Sequence, residues 1–281
     1  MGWLAGGIGS QSTGGVVVNT SDGARNWTLR LEGVGHIKDL HFVDHNVGWA
    51  VGSEGTVLRT LDGGAHWEQI DVHPYRDFSG VYFLDRRRGW VVGHHETILY
   101  TADGGSTWVW QREGSEFAVR AVVFLDNLRG WAVASSYSGE RGLLLRTLDG
   151  GEHWTQHMET PVPIRTLTFG DSMHAWITGT NAIYFTEDGG ETWTPGEIDS
   201  LITTVTDVGF VNHKEGWAVG YFCRVWETND GGHTWHYVES FGPGYSLRSF
   251  HAIEFSDYYN AWIVGSSGFI GHMTRIPVYE N

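Results

Sequence analysis

Short apolar runs separated by polar turns recur along the chain at a spacing of about 40 residues. A Gly-Trp or Ala-Trp dipeptide begins one such run seven times, at intervals of 46, 41, 41, 45, 41 and 45 residues. The tryptophans of these dipeptides are Trp3, Trp49, Trp90, Trp131, Trp176, Trp217 and Trp262. Before six of them lies an alternating segment that ends in Phe-x-Asp or Phe-x-Asn, as at residues 40–44. Alternation of this kind predicts half-buried β-strands.

Each repeat also contains two further runs joined by the turn Thr-x-Asp-Gly-Gly-x-x-Trp, an Asp box. The turn occupies residues 20–27 (with Ala at 24), 60–67, 101–108, 147–154, 186–193 and 228–235. We predict that the aspartate accepts hydrogen bonds from backbone N–H groups about two residues on, while the glycines adopt positive φ. The threonine hydroxyl adds a local bond and the tryptophan covers the turn. The aspartates predicted to be structural, and neither catalytic nor calcium-binding, are Asp22, Asp62, Asp103, Asp149, Asp188 and Asp230.

Four alternating runs per repeat, without helical periodicity, predict an all-β, seven-bladed β-propeller of four-stranded antiparallel blades. We letter the strands a to d outward from the channel, with the Asp box between c and d. The predicted blades of this single domain, 1–281, are 1–35, 36–76, 77–116, 117–161, 162–201, 202–246 and 247–281. The first and last blades are incomplete, because no strand a precedes Trp3 and no Asp box follows residue 247. One hypothesis is that a natural precursor extends roughly 30–40 residues upstream and supplies the missing strands.

Composition limits the classes of partner. The net charge is −15, which argues against a general nucleic-acid or anionic-membrane surface. The single cysteine, Cys223, permits no internal disulfide and is expected to be an inert, half-buried thiol. No apolar stretch is long enough to predict a transmembrane helix, and the N-terminal residues lack the features of a signal peptide.

The combination of Phe-x-Asp, Gly-Trp-Ala-Val-Gly and the Asp box resembles the photosystem II stability/assembly factor family of seven-bladed propellers. The resemblance is clearest at 48–52 with 60–67, and at 216–220 with 228–235. More distantly, the boxes are similar to the bacterial neuraminidase repeats of sialidases, sortilin-type receptors and xyloglucan-cleaving propellers. The resemblance implies a non-enzymatic assembly factor for membrane-protein intermediates. It also implies an extracytoplasmic location: the periplasm, the thylakoid lumen or the cell surface.

A partner site is predicted where the d–a and b–c loops meet the mouth of the channel. The position four residues before the strand-a phenylalanine is occupied by Lys38, Ser79, Arg120, Arg165, Thr206 and His251. Cations converging there would suit a carboxylate or phosphate. In the alternative, each cation pairs with a neighbouring acid such as Asp39, Asp77 or Asp207. Long loops add tyrosine and arginine, which are enriched at binding hot spots. The predicted partner-binding residues are Lys38, Arg76, Arg120, Arg165, Arg248, Tyr75 and Tyr245.

The leading functional hypothesis is a non-enzymatic scaffold that binds a protein segment bearing an acidic group, such as part of a membrane-protein subunit. No cofactor or metal is predicted. The adjacent histidines His94 and His95 lie on an extended chain, where neighbouring side chains point apart and rarely bind one metal. The alternative is a glycan-binding or glycan-cleaving, sialidase-like propeller. Glycoside hydrolysis needs two suitably spaced carboxyl groups, for which Asp77, Glu96 and Glu140 are the candidates on the predicted ligand face.

Overall fold

The alternating runs form β-strands that belong to seven sheets, one for each sequence repeat. The structure, a computed structural model, describes residues 2–7, 14–73, 76–114, 116–199, 203–238 and 248–274. Within these ranges the fold is all-β apart from one short 3-10 helix, and the seven successive sheets make it a seven-bladed β-propeller. The predicted fold class is therefore confirmed. Two compact units divide the chain: Met1–Ser138 with Leu143–Glu159, and Gly139–Gly142 with Thr160–Asn281.

The first unit contains the sheets of the first four blades. Its strands are β1 (Gly2–Gly7), β2 (Gly15–Thr20), β3 (Thr28–Val34), β4 (Ile37–Phe42), β5 (Gly48–Gly52), β6 (Val57–Thr60), β7 (Glu68–Gln69), β8 (Phe78–Phe83), β9 (Gly89–Gly93), β10 (Thr97–Thr101), β11 (Val109–Arg112), β12 (Phe117–Phe124), β13 (Gly130–Ser136), β14 (Gly142–Thr147) and β15 (Thr155–Thr160). The first sheet, β1-β2-β3, contains strands b, c and d, as the incomplete first repeat predicts. The other three sheets have four strands each, in chain order from a to d.

The second unit contains the last three blades. Its elements are β16 (Ile164–Phe169), β17 (Ala175–Gly179), β18 (Ala182–Thr186), β19 (Thr194–Pro195), β20 (Glu197–Ile198), β21 (Val205–Phe210), β22 (Gly216–Gly220), β23 (Val225–Thr228), β24 (Thr234–Val238), β25 (Phe250–Asp257), β26 (Asn260–Gly265), the 3-10 helix Ser266–Gly268 and β27 (Phe269–Thr274). The last sheet, β25-β26-β27, consists of strands a, b and c.

The sixth blade departs from the predicted four strands. Its sheet has five, because β20, in the linker that follows β19 within the predicted fifth blade (162–201), pairs in parallel with the outer strand β24. The backbone N–H of Glu197 donates to His233 O at 2.8 Å, and that of Asp199 donates to Trp235 O at 2.9 Å. An outer strand presents unpaired backbone groups, and the linker satisfies them.

Neighbouring blades are joined by stacked aromatic rings. In the first unit, the strand-b residue Trp49 stacks on Phe83 of the next blade, with ring centroids 3.4 Å apart. Trp90 stacks on Phe124 in the same way at 3.5 Å. In the second unit Trp176 stacks on Phe210 at 3.4 Å. Each such pair contributes about 0.5–1.5 kcal/mol beyond the burial of its area. The repeated Phe and Trp positions are thus the contacts through which one blade packs on the next.

The glycine of the Gly-Trp dipeptide is required by this packing. A Cβ atom at Gly89 would lie 2.3 Å from the ring of Phe83, the strand-a phenylalanine of the same blade. In the second blade the tryptophan of the dipeptide also fixes the next Asp box, because Trp49 Nε1 donates to the carbonyl oxygen of Gly104 at 3.2 Å. The dipeptide therefore combines a close ring contact with a link to the following blade.

The Asp boxes share one hydrogen-bond pattern. In the third blade the Thr101 hydroxyl donates to Asp103 at 2.8 Å and accepts the backbone N–H of Gly105 at 2.8 Å. Asp103 also accepts the backbone N–H and the hydroxyl of Thr107, at 2.8 and 2.7 Å. The N–H bound by the aspartate therefore lies four residues on, not two as predicted. The bonds from Thr107 lower the pKa of Asp103 to about 2. The Thr–Asp, Gly/Ala–Thr and four-residue Asp contacts recur in the other five boxes.

Candidate functional site

The loops of the predicted ligand face are short turns held in an unusual backbone conformation. The b–c turn of the second blade has positive φ at Glu54 and Gly55, which favours glycine. In the third blade both residues at this turn, His95 and Glu96, are non-glycine with φ of 59° and 52°. Such residues carry local strain, which is common at binding sites. The turn is held in place by the Tyr137 hydroxyl, which accepts the His95 N–H at 2.7 Å.

At this end of the first unit, Asp77 contacts both Lys38 and His94, and Arg120 lies near enough for its charge to act on His94. We call these four residues the basic cluster. Lys38 Nζ contacts Asp77 Oδ2 at 3.0 Å, and the other Asp77 oxygen accepts the Glu54 N–H at 3.0 Å. The backbone N–H of His94 donates to Asp77 O at 3.0 Å. Burial, followed by the charges of Lys38 and Arg120, lowers the pKa of His94, so the ring is neutral at neutral pH.

The acids named as alternative partners of the cations behave differently from one another. Asp77 does pair with Lys38, and the two side chains are 38% and 32% exposed. Burial acts to raise the pKa of Asp77, but the Glu54 N–H and Lys38 outweigh it and the pKa is lowered. Asp39 is half-buried and accepts the backbone N–H groups of Leu40 and of Val81 in the next blade, at 2.8 and 2.9 Å. It therefore joins two blades.

Arg76 lies on the outer side of the third blade. Its guanidinium contacts Glu113 at 2.5 Å and Thr97 Oγ1 at 3.2 Å. It also lies over the ring of Trp110, 5.1 Å from the centroid. These contacts bury all but 19% of the side chain. Its contacts therefore hold β11.

In the second unit, Thr206, Arg248 and His251 make contacts within their own blades and with the neighbouring blade. Arg165 is half-buried on β16. The backbone N–H of Arg248 donates to the sulfur of the buried Cys223, whose pKa is raised by burial. The Thr206 hydroxyl lies within 3.0 Å of two backbone carbonyl oxygens, and the His251 ring contacts Ser266 Oγ at 3.1 Å. The predicted residues Tyr75 and Tyr245 lie outside the described residues.

Two of the candidate glycosidase acids are already engaged. Glu96 is 9% exposed and forms an ion pair with Arg112 at 2.9 Å. A Cβ atom at Gly114 would lie 2.4 Å from the Glu96 carboxyl carbon, so this carboxylate is enclosed by the following loop. Asp77 is paired with Lys38. Asp77 and Glu96 therefore do not form the open pair of carboxylates that glycoside hydrolysis needs.

One group within the described ranges brings together three possible metal ligands. Asp149, Glu152 and His153 each offer a ligand atom, and these atoms lie within 4.8 Å of one another. Asp149 and His153 make the hydrogen bonds of an ordinary Asp box. The turn accounts for this arrangement, and we assign no metal to it.

The blades, their boxes and the mixed-charge turns define an Asp-box β-propeller. Residues 66–203 and 197–276 match the model of the family described as photosynthesis system II assembly factor YCF48. The chain belongs to this family, and the family predicted from its repeats is confirmed.

Individual relatives agree with this assignment. The chain is 30% identical over 200 residues to the photosystem II assembly lipoprotein Ycf48 of Synechococcus sp. (strain CC9902). The aligned region covers 69% of this chain and 46% of the relative. It thus spans less than half the length of this curated relative. Among solved structures, YCF48 from Cyanidioschyzon merolae matches with a TM-score of 0.72 and 21% identity, over 97% of this chain and 98% of that one.

The same fold also occurs in an enzyme. An ancestral GH74 enzyme matches with a TM-score of 0.66 and 12% identity, over 85% of this chain and 38% of that one. Similarity at these levels of identity shows a shared fold and no more. In the described part of the chain, no helix has the length and apolar character needed to cross a membrane.

Proposed function

We propose that this protein is a non-enzymatic scaffold that binds a segment of a membrane-protein subunit while a photosystem II-type complex is assembled. Membership of the assembly-factor family carries the proposal. A curated relative is named as a photosystem II assembly lipoprotein, which also supports an extracytoplasmic place of action for this chain. The engagement of Asp77 and Glu96 by cations supports a binding role over glycoside hydrolysis.

The basic cluster of the first unit is the proposed contact. In a protein with a net charge of −15, Lys38 and Arg120 lie close enough for both charges to act on His94. The Lys38–Asp77 pair is partly exposed, and such pairs contribute about 0–1 kcal/mol. A carboxylate on the partner could therefore displace Asp77 from Lys38 at small cost, and Arg120 would add a second charged donor.

The proposal is tested with the double variant Lys38→Glu/Arg120→Glu. Tagged protein is mixed with detergent-solubilised photosynthetic membranes, and bound photosystem II subunits are quantified by mass spectrometry. We expect the double variant to retain less than about a tenth of the bound subunits, because two attractive charges become repulsive. Arg165→Glu is tested separately for the second unit.

Arg129→Glu is the matched control, because Arg129 is exposed in an a–b turn and pairs with Asp126 at 2.7 Å. It should bind as the unmodified protein does. Equal binding by the double variant would remove the basic cluster from the proposal. Failure of the unmodified protein to bind any subunit, or hydrolysis of xyloglucan or a sialoside, would contradict the scaffold function itself.

A further inference from the structure

A groove lies between the third and fourth blades of the first unit, away from the basic cluster. It encloses about 540 Å³. One wall is formed by Val109 and Trp110 of the outer strand β11, and the other by the Asp-box residues Asp149 and Glu152 of the next blade. Tyr100 also lines it. The volume falls in the range of ligand pockets and would hold one or two large side chains.

The apolar wall is exposed and is peculiar to this blade. Val109 is 61% exposed and Trp110 is 37% exposed. In the other copies, the two residues after the box tryptophan are Thr28-Leu29, Glu68-Gln69, Thr155-Gln156, Thr194-Pro195 and His236-Tyr237. The position of Val109 is polar in all of these, and no other copy has tryptophan next to it. Since the same strand forms with polar residues in the other copies, the fold does not require Val109 and Trp110.

The groove is held rigid by its neighbours. The guanidinium of Arg76 lies over the ring of Trp110, 5.1 Å from its centroid. Gln111 Oε1 accepts the indole N–H groups of Trp90 and Trp154, at 3.1 and 3.3 Å, and Gln111 Nε2 donates to Gly150 O at 3.0 Å. One glutamine thus joins β11 to the facing Asp box. A surface fixed before binding loses little entropy when a partner docks.

The facing wall carries negative charge. Glu152 is exposed and makes no hydrogen bond or ion pair with the described residues. The hydrogen bonds of the Asp box hold the pKa of Asp149 far below its usual value, so it stays ionised. Two cations lie at the groove: Arg88 pairs with Asp85 and Arg76 pairs with Glu113, both at 2.5 Å. An occupant of complementary charge would place an apolar side chain on Trp110 and a cation beside Glu152.

We propose that this groove binds a protein segment in which a large apolar side chain is flanked by lysine or arginine. Trp110 and Val109 receive the apolar side chain, and Glu152 and Asp149 attract the flanking cations. The site differs in position and in charge preference from the basic cluster. It does not depend on the function proposed for that cluster.

Fluorescein-labelled peptides test the proposal directly by fluorescence polarisation. The peptides are Gly-Lys-Phe-Lys-Gly, Gly-Glu-Phe-Glu-Gly and Gly-Lys-Ser-Lys-Gly. We expect the first to bind at least about tenfold more tightly than the other two. The double variant Val109→Glu/Trp110→Gln carries the pair found at Glu68-Gln69 of the second blade. It should bind the first peptide about tenfold more weakly or worse, since the apolar wall is gone.

The variant Lys38→Glu/Arg120→Glu is the control and should bind the lysine peptide as the unmodified protein does. Glu152→Lys, a change at an exposed turn residue, should shift preference towards the glutamate peptide even if the double variant fails to fold. No binding of the lysine peptide up to about 1 mM would overturn the proposal. So would equal binding by the folded double variant, or an unchanged preference in Glu152→Lys.

Discussion

At the scale of the residue, carboxylates of the same Asp-box turn have different roles although they look alike in sequence. Asp149 and Glu152 lie in one Asp box, three positions apart. Asp149 contacts the Thr147 hydroxyl and the His153 backbone and ring, at 2.8 to 2.9 Å, whereas Glu152 has no such contacts with the described residues. The first carboxylate therefore fixes the turn, and the second is available to a partner.

Asp149→Ala and Glu152→Ala should separate the two tasks. We expect Asp149→Ala to lower the Tm by about 5 °C, because Thr147 and His153 lose their acceptor, and Glu152→Ala to leave it nearly unchanged. Hydrogen bonds lower the folded-state pKa of Asp149, so its stabilisation is present above the unfolded pKa of about 3.9 and is lost as pH falls. The Tm difference should therefore shrink below about pH 4. If thermal unfolding at pH 7 showed that the two substitutions change the Tm equally, Asp149 and Glu152 would not have separate roles.

At the scale of the element, the strand-a carboxylate Asp39 ties the second blade to the third through Val81. Burial outweighs its two backbone hydrogen bonds and raises the pKa to about 6. The folded state therefore holds this proton up to a higher pH than the unfolded chain does. The contribution of the protonated carboxyl is fully present below about pH 4 and is lost as pH rises through 6. This pH dependence is opposite in sign to that of Asp77, whose pKa is lowered.

Asp39→Asn should remove this pH dependence. In the unmodified protein, we expect Asp39 to reduce the free energy of unfolding by about 2–3 kcal/mol as pH rises from 4 to 7. Urea unfolding at several pH values would show a smaller decline in Asp39→Asn than in the unmodified protein. Asp77→Asn is the control and should keep the decline. Identical pH profiles for Asp39→Asn and the unmodified protein would show that the pKa of Asp39 lies outside the range from pH 4 to 7.

The same scale shows how far the sequence could predict this structure. The repeated Gly-Trp, Phe-x-Asp and Asp-box signals locate the blades because each is a local requirement, such as the ring contact at Gly89. Contacts between segments that are distant along the chain have no such local motif in the sequence. The parallel strand β20 arises because a linker meets an open outer strand, and Asp39 binds a backbone N–H of the next blade instead of a cation. Sequence reasoning predicted Lys38 and Arg120 as site residues, but not that the charges of both would act on the ring of His94.

The groove between the third and fourth blades was not predicted from the sequence for a related reason. Val109 and Trp110 follow a box tryptophan and read as ordinary strand residues. Their significance depends on exposure and on the facing Glu152, which are properties of two packed blades. A comparison of equivalent positions among the chain's own repeats could have identified Val109 and Trp110, because the other repeats lack this apolar pair. Internal repeats thus provide a control that one sequence alone seldom offers.

At the scale of the whole molecule, a net charge of −15 surrounds two proposed sites of opposite preference. The long-range field repels an acidic segment, although the basic cluster attracts it locally. Both the field and the acidic wall of the groove attract a basic segment. Salt separates these effects, because the Debye length falls from about 30 Å at 0.01 M to about 8 Å at 0.15 M. Distant charges then cease to act, while contacts within a site persist.

The association rates of two labelled peptides should therefore respond oppositely to salt. For the acidic peptide Gly-Glu-Ser-Glu-Gly at the basic cluster, we expect the rate constant to rise several-fold between 0.01 and 0.15 M salt, since repulsion is screened. For Gly-Lys-Phe-Lys-Gly at the groove, it should fall over the same range, because the attracting field is lost. Stopped-flow polarisation measures both, with Lys38→Glu/Arg120→Glu and Glu152→Lys as the controls that abolish the respective local attractions. A fall in both rates would show that the local charge of the cluster outweighs the field of the whole molecule.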